Sequence, residues 1–254
     1  LRAKRARETL RAMRTLGAAL LLLCACTPTL PPADIAPTLK PLAENVWLHA
    51  SHRDVARLGL VLSHGLVIRG AEGVLLVDTA WDAADTDEIL RLVREEVGTP
   101  VAAAVVTHAH ADKMGGMAAL RLAGVRSFAH AISNQDAPPR GLEPASDTLF
   151  ADGKRERVVM GTVVFHPGTG HTRDNLVVYY APARVLFGGC LIRPGDARDL
   201  GNTADGDIAR WAETVRAVRA RFPEARIVVP SHGPPGGPEL LDHTIVLAER
   251  AARR

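Results

Sequence analysis

Apolar residues fall into short runs separated by polar, glycine-bearing or proline-bearing breaks, and most of the runs read as strands. Residues 45–49 and 59–69 are two, linked by the polar segment HASHRDVARLG. Residues 73–78 (GVLLVD) are a third, ending on Asp78. Over 82–97, Ile89, Leu90, Val93 and Val97 recur at helical spacing, with Asp85 or Thr86 as the expected cap. Residues 101–106 (VAAAVV) are too short for a helix and β-branched at their ends, so they read as a buried strand. Gly115 and Gly116 then allow a tight turn before the helical MAALRLAG. Residues 126–130 form a brief strand, 131–149 are mostly loop, and 158–165 form a hairpin broken at Gly161. Strands follow at 176–180, 184–187 and 226–230, with amphipathic helices at 207–222 and 240–253. This order predicts an α+β fold with two sheets face to face and helices outside.

Length permits one large core, and 47% apolar with 23% charged residues suits a soluble globular chain. The net charge of +3 changes meaning once it is located. Six Lys or Arg against one acid fall in residues 1–25, and the remaining 25 basic and 27 acidic residues leave about −2. No basic face remains to bind nucleic acid. The leader has a cationic start and an apolar run, LGAALLLLCAC, too short to span a bilayer. Leu23-Cys24-Ala25-Cys26 resembles a bacterial lipobox, which implies a signal over 1–26, a lipidated Cys26 and retention of a periplasmic protein at the outer membrane. Met13 is an alternative start. Residues 27–41, with five prolines, read as a tether, and 42–254 as the folded domain. Outside the leader one thiol remains, Cys190, with no disulfide partner.

Candidate chemistry gathers where the strands stop. His108, His110 and Asp112 follow the strand 101–106 at alternate positions, and imidazoles with a carboxylate suit a divalent metal such as zinc. His171 precedes the strand 176–180, while Cys190 and His232 follow 184–187 and 226–230. The six divide into two trios, His108, His110 and His171 against Asp112, Cys190 and His232, each leaving a tetrahedral position open.

The motifs HAHADKMGG, GHTRDN, GGC, LGN and SHG, in that order over about residues 42–250, resemble the metallo-β-lactamases of subclass B1. The resemblance implies the four-layer αβ/βα sandwich and two zinc ions per chain, held by those two trios. It implies hydrolysis of the β-lactam ring amide of carbapenems, cephalosporins and penicillins by a zinc-bound hydroxide, which confers antibiotic resistance. Asp112 would orient the hydroxide, Asn202 would donate to the developing oxyanion, and Arg193 would grip the substrate carboxylate where relatives carry Lys. Asp78 and Thr172 would support the ligand loops, and Lys113 would form an ion pair beneath the metals, with Asp205 as a candidate partner. The polar loop 49–59 stands where relatives fold an apolar flap, implying less hydrophobic contact with substrate. Lys113 and Cys190 separate the chain from glyoxalase-like and lactonase-like relatives. The rivals are a di-zinc hydrolase of the same fold acting on a lactone, thioester or phosphoester, and a non-catalytic zinc-binding lipoprotein. With no heptads or other assembly signal, a monomer is expected.

Overall fold

Period-two alternation decides which layer each strand residue enters, and here both faces of both sheets are apolar. A computed structural model describes residues 36–254; the leader, Cys26 and most of the expected tether lie outside the described residues. Seven strands form the first sheet in sequential order: β1 (Thr38–Ala43), β2 (Val46–Val55), β3 (Gly59–Gly70), β4 (Gly73–Val77), β5 (Val101–Val105), β6 (Arg126–His130) and β7 (Asp147–Leu149). Pairing is antiparallel from β1 to β4 and parallel from β4 to β7. The second sheet contains β8 (Glu156–Val159), β9 (Thr162–Phe165), β10 (Val177–Tyr180), β11 (Val185–Gly189) and β12 (Ile227–Pro230), ordered β12-β11-β10-β9-β8.

Leu66, Ile68, Leu75, Val77 and Val105 point from the first sheet to meet Val164, Val178, Val185, Phe187 and Val229 from the second. Their neighbours Val67, Val74, Leu76, Ala104 and Val106 point the other way, onto α1 (Ala83–Leu92) and α3 (Met117–Leu122). On the far side Val177, Leu186 and Val228 pack against α5 (Ile208–Arg221) and α6 (Glu239–Ala252). The expected helix–sheet–sheet–helix layering is therefore present.

Four local expectations need correction. Residues 38–41, expected in the tether, belong to β1, where Leu39 is buried. The segment 49–59 is not a linker. It continues β2 into a hairpin arm, pairing Arg53 with Val61 and Val55 with Gly59. Backbone ladder bonds do not depend on side-chain polarity, so exposed Arg53 and Asp54 are compatible with a strand. Residues 131–149 contain α4 (Ala131–Asp136), a 3₁₀ turn (Pro138–Arg140) and β7. Polar side chains build that region: Asn134 Oδ1 accepts from the Ala145 N–H (2.8 Å), and His130 Nδ1 caps α4 by accepting from the Ile132 N–H. Finally, Asp82 caps α1 by accepting from the Asp85 N–H, and the helix ends as a π turn, Val93–Val97.

The two sheets are stitched by backbone bonds at one edge. The Leu176 N–H donates to Thr107 O and the His64 N–H to Ser231 O, each at 2.9 Å.

Candidate metal centre

All six candidate ligands converge at that stitched edge. His108, His110 and Asp112 come from the segment after β5, where His110 N-caps the single turn α2 (Ala111–Met114). His171 precedes β10, Cys190 follows β11, and His232 follows β12. Three overlapping sets each bring one ligand atom per residue within 4.8 Å of the others: His108, His110 and Asp112; His108, His171 and Cys190; Asp112, Cys190 and His232. The rings of His108, His110 and His171 stand nearly perpendicular, with centroids 4.7 to 5.0 Å apart. Cys190 Sγ lies 3.3 Å from His232 Nε2 and 3.6 Å from Asp112 Oδ2.

Neighbours that can only accept fix the tautomers. Leu62 O lies 2.7 Å from His232 Nδ1 and Asp205 Oδ2 lies 2.8 Å from His110 Nε2, so those nitrogens carry the protons. Thr107 Oγ1 donates to Asp78 Oδ2 and therefore accepts from His108 Nδ1, at 3.1 Å. The opposite nitrogens, His232 Nε2, His110 Nδ1 and His108 Nε2, are left as lone pairs. His108 Nε2 is buried with no hydrogen-bond partner among the described residues. A cluster of bare imidazole nitrogens beside a thiol and a carboxylate is unfavourable as a hydrogen-bond network and favourable as a set of metal donors.

Electrostatics beneath the cluster centre on Lys113, which is fully buried. Its Nζ lies 3.2 Å from Asp112 Oδ2 and 3.5 Å from Asp78 Oδ2, and donates to Ser63 Oγ (2.8 Å) and His64 O (3.1 Å). The ion pair expected for Lys113 is present, but its partners are Asp112 and Asp78; Asp205 instead meets His110 and Arg140. Burial opposes ionisation of Asp112, and the Lys113 cation overrides it, holding the carboxyl well below its usual range. Burial likewise opposes the Lys113 charge, and Asp112 and Asp78 overcome it. Asp78 has weaker compensation, and burial raises it to about 7. Burial, then the adjacent Asp112, push the Cys190 thiol up, a cost that a bound dication would remove.

The supporting role expected of Asp78 has a visible basis. Asp78 sits at φ 62 and accepts from the Thr107 N–H (2.7 Å) and hydroxyl (3.0 Å), tying the end of β4 to the residue before His108. Thr172 offers no such link, since its hydroxyl has no partner among the described residues. Sequence reading missed Thr107, Ser63 and Asp174; the Asp174 carboxylate accepts from the Ala109 N–H (2.9 Å) and the Ser133 hydroxyl (2.7 Å). One hydroxyl or carboxylate beside a strand end carries no periodic signal.

A cavity of about 360 Å³ opens over the cluster. His110, Asp112, His171, Cys190 and His232 form its floor; Val55, Leu58, Val61, Trp81, Arg140, Asn202 and Asp205 form its walls. The hairpin arm, expected as a polar loop with less hydrophobic contact, does present Val55, Leu58 and Val61 to the site. Asn202 is in the wall, but Arg193 is not: its Nε donates to Asp199 O (3.1 Å) and its guanidinium packs on Gly201.

Residues 58–232 match the Metallo-beta-lactamase superfamily. The chain belongs to the metallo-β-lactamase family. It is 34% identical over 215 residues to the Metallo-beta-lactamase type 2 of Bacillus cereus, spanning 83% of this chain and 82% of that one. The Metallo-beta-lactamase type 2 of Bacteroides fragilis is 33% identical over 204 residues, spanning 80% and 82%. Among solved structures, the metallo-β-lactamase FIM-1 from Pseudomonas aeruginosa, in a mono-zinc form, superposes with a TM-score of 0.84 at 45% identity, covering 88% of this chain and 99% of that one. As a metallo-β-lactamase the protein is an enzyme, and its family implies zinc. The donor set, with its unpartnered His108 nitrogen, fits that metal.

Proposed function

We propose that the protein hydrolyses the ring amide of β-lactam antibiotics, among carbapenems, cephalosporins and penicillins, with two zinc ions, and so confers resistance. The observation carrying this reading is the arrangement of lone pairs: three histidines have their protons committed to outer partners and their free nitrogens turned to one carboxylate and one thiol. The division we favour is His108, His110 and His171 for one ion and Asp112, Cys190 and His232 for the other. Zinc held there supplies Lewis acidity and water made acidic enough to react near neutral pH.

The chain's own residues define the rest. Asp112 stays an ionised acceptor over the whole physiological range, which suits orienting a water. Asn202 Oδ1 accepts from the Ala204 N–H (3.1 Å), so its amide NH₂ is the end available to the cavity as an oxyanion donor. Val55, Leu58, Val61 and Trp81 offer the apolar wall that a bicyclic substrate needs. Arg193 is the candidate grip for a substrate carboxylate: its Nε–H is held by Asp199 O, and its Nη groups make no hydrogen bond among the described residues. The leader fits export to the periplasm, with Cys26 as the lipid attachment point and the mature protein a monomer.

The test is hydrolysis of a carbapenem and a cephalosporin by the zinc-loaded protein, after chelation and after zinc is restored. We expect turnover to disappear and return. If two equivalents of zinc bind and neither drug is cleaved, the reading is overturned and lactones and thioesters become the substrates to try.

A further inference from the structure

We infer that Arg140 is a positioning residue for the metal centre, acting through Asp205 on His110. The inference rests on the reading of His110 as a zinc ligand. A single carboxylate oxygen, Asp205 Oδ2, receives both the His110 Nε2–H and the Arg140 Nη1–H, each at 2.8 Å. Asp205 therefore has two jobs. It keeps the His110 proton on Nε2, leaving Nδ1 bare toward His171 Nε2, 3.2 Å away. It can do so in one geometry only if its own carboxylate is prevented from turning, and side-chain exposure of 39% shows that packing does not prevent it. The guanidinium does.

Arg140 is built to stay in place. It ends the turn Pro138–Arg140, in which two prolines restrict the backbone, and Gly141 follows in the left-handed region at φ 73. The Arg140 and Leu142 N–H groups donate to Ala137 O and the Gly141 N–H to Pro138 O, each at 3.0 Å. Asp205 is anchored from the other side, because the Asp207 N–H donates to Gly170 O (2.7 Å), the residue before His171. Arg140, Asp205, His110 and His171 thus form one continuous chain of contacts from the rim of the cavity to its floor. The placement is not explained by a surface ion pair alone, since Asp136, the nearby acid, is engaged by Arg173 instead.

The test uses Arg140→Gln, Arg140→Lys, Asp205→Asn and the double variant Arg140→Gln/Asp205→Asn, each titrated for zinc retention against a chromophoric chelator. Outer partners of metal-binding histidines typically carry about 10–100-fold in metal affinity. We expect Asp205→Asn within that range, Arg140→Gln near about tenfold at its lower end, and the double variant no weaker than Asp205→Asn alone. Arg140→Lys, which keeps a cationic donor, should restore most of the loss. In cobalt-substituted protein, Arg140→Gln should alter the ligand-field bands while the charge-transfer band from Cys190 keeps its intensity; a merely structural role would diminish both. Unchanged zinc affinity in Arg140→Gln, or losses that add in the double variant, would overturn the inference. Should zinc retention respond as expected while the unaltered protein cleaves no β-lactam, the hydrolytic reading falls and the positioning role of Arg140 stands.

Discussion

The two sides of the candidate centre are held by opposite means. Asp112 and Cys190 are held by a buried ion cluster in which Lys113 lies wholly buried between the Asp112 and Asp78 carboxylates. His110 is held from the rim by Asp205 and Arg140, both partly open to solvent. A buried charge cannot relax into water, so the first side ties metal binding to the stability of the whole domain. A rim charge can, so the second side can lose its function while the fold is kept. The same metal centre is structural from below and adjustable from above.

Breaking the buried side should have the largest effect. Lys113→Met leaves Asp112 and Asp78 without their counterion, and such losses cost about 3–5 kcal/mol. For a domain of this size that lowers the melting temperature by on the order of 10 °C, read by calorimetry. A fall of only a degree or two would show that Asp78 takes up a proton and that the cluster is self-compensating. Thr107→Val removes the hydroxyl between Asp78 and His108 Nδ1 and should cost about 1–3 kcal/mol, measured by urea denaturation.

Acid sharpens the contrast without mutation. Burial lowers His49 to about 3 and His166 to about 4, from an ordinary 6.5. Between those values and 6.5 the unfolded chain binds protons that the folded chain refuses. The stability due to these groups is therefore complete above pH 6.5 and declines as pH falls toward 4 and below. Urea midpoints followed from pH 7 to pH 4 should show that decline, and His166→Gln should flatten it. An unchanged slope in the variant would remove His166 from the explanation. The smallest expected effect belongs to the rim: Asp205→Asn should move the stability of the zinc-free protein by less than about 1 kcal/mol while zinc affinity changes. A large stability loss there would erase the distinction between the two sides.

Much of this arrangement could be read from the chain. The apolar runs ending at Val106, Phe187 and Pro230 marked strand ends, and the ligand-type residues beyond them proved to be neighbours in space. What remained hidden lacks periodicity. Residues 49–55 of the arm are strand because their partner supplies ladder bonds, although Arg53 and Asp54, with Arg57 in the turn beyond, give the segment the composition of a loop. Arg140 follows two prolines in a stretch without apolar spacing, and its importance arises from meeting Asp205, which is distant in sequence. Lys113 was expected to pair with an acid, but choosing Asp78 over Asp205 requires knowing that β4 and β5 are adjacent.

The ligands come from both sheets: three follow β5 of the first, and three lie beside β10, β11 and β12 of the second. Any ion gripping both groups acts as a clasp across the mouth of the sandwich. It would slow the opening of that edge far more than of the opposite one. Amide protons of Leu176 and His64, whose bonds already cross the seam there, are where such a clasp would be felt as slowed exchange with solvent.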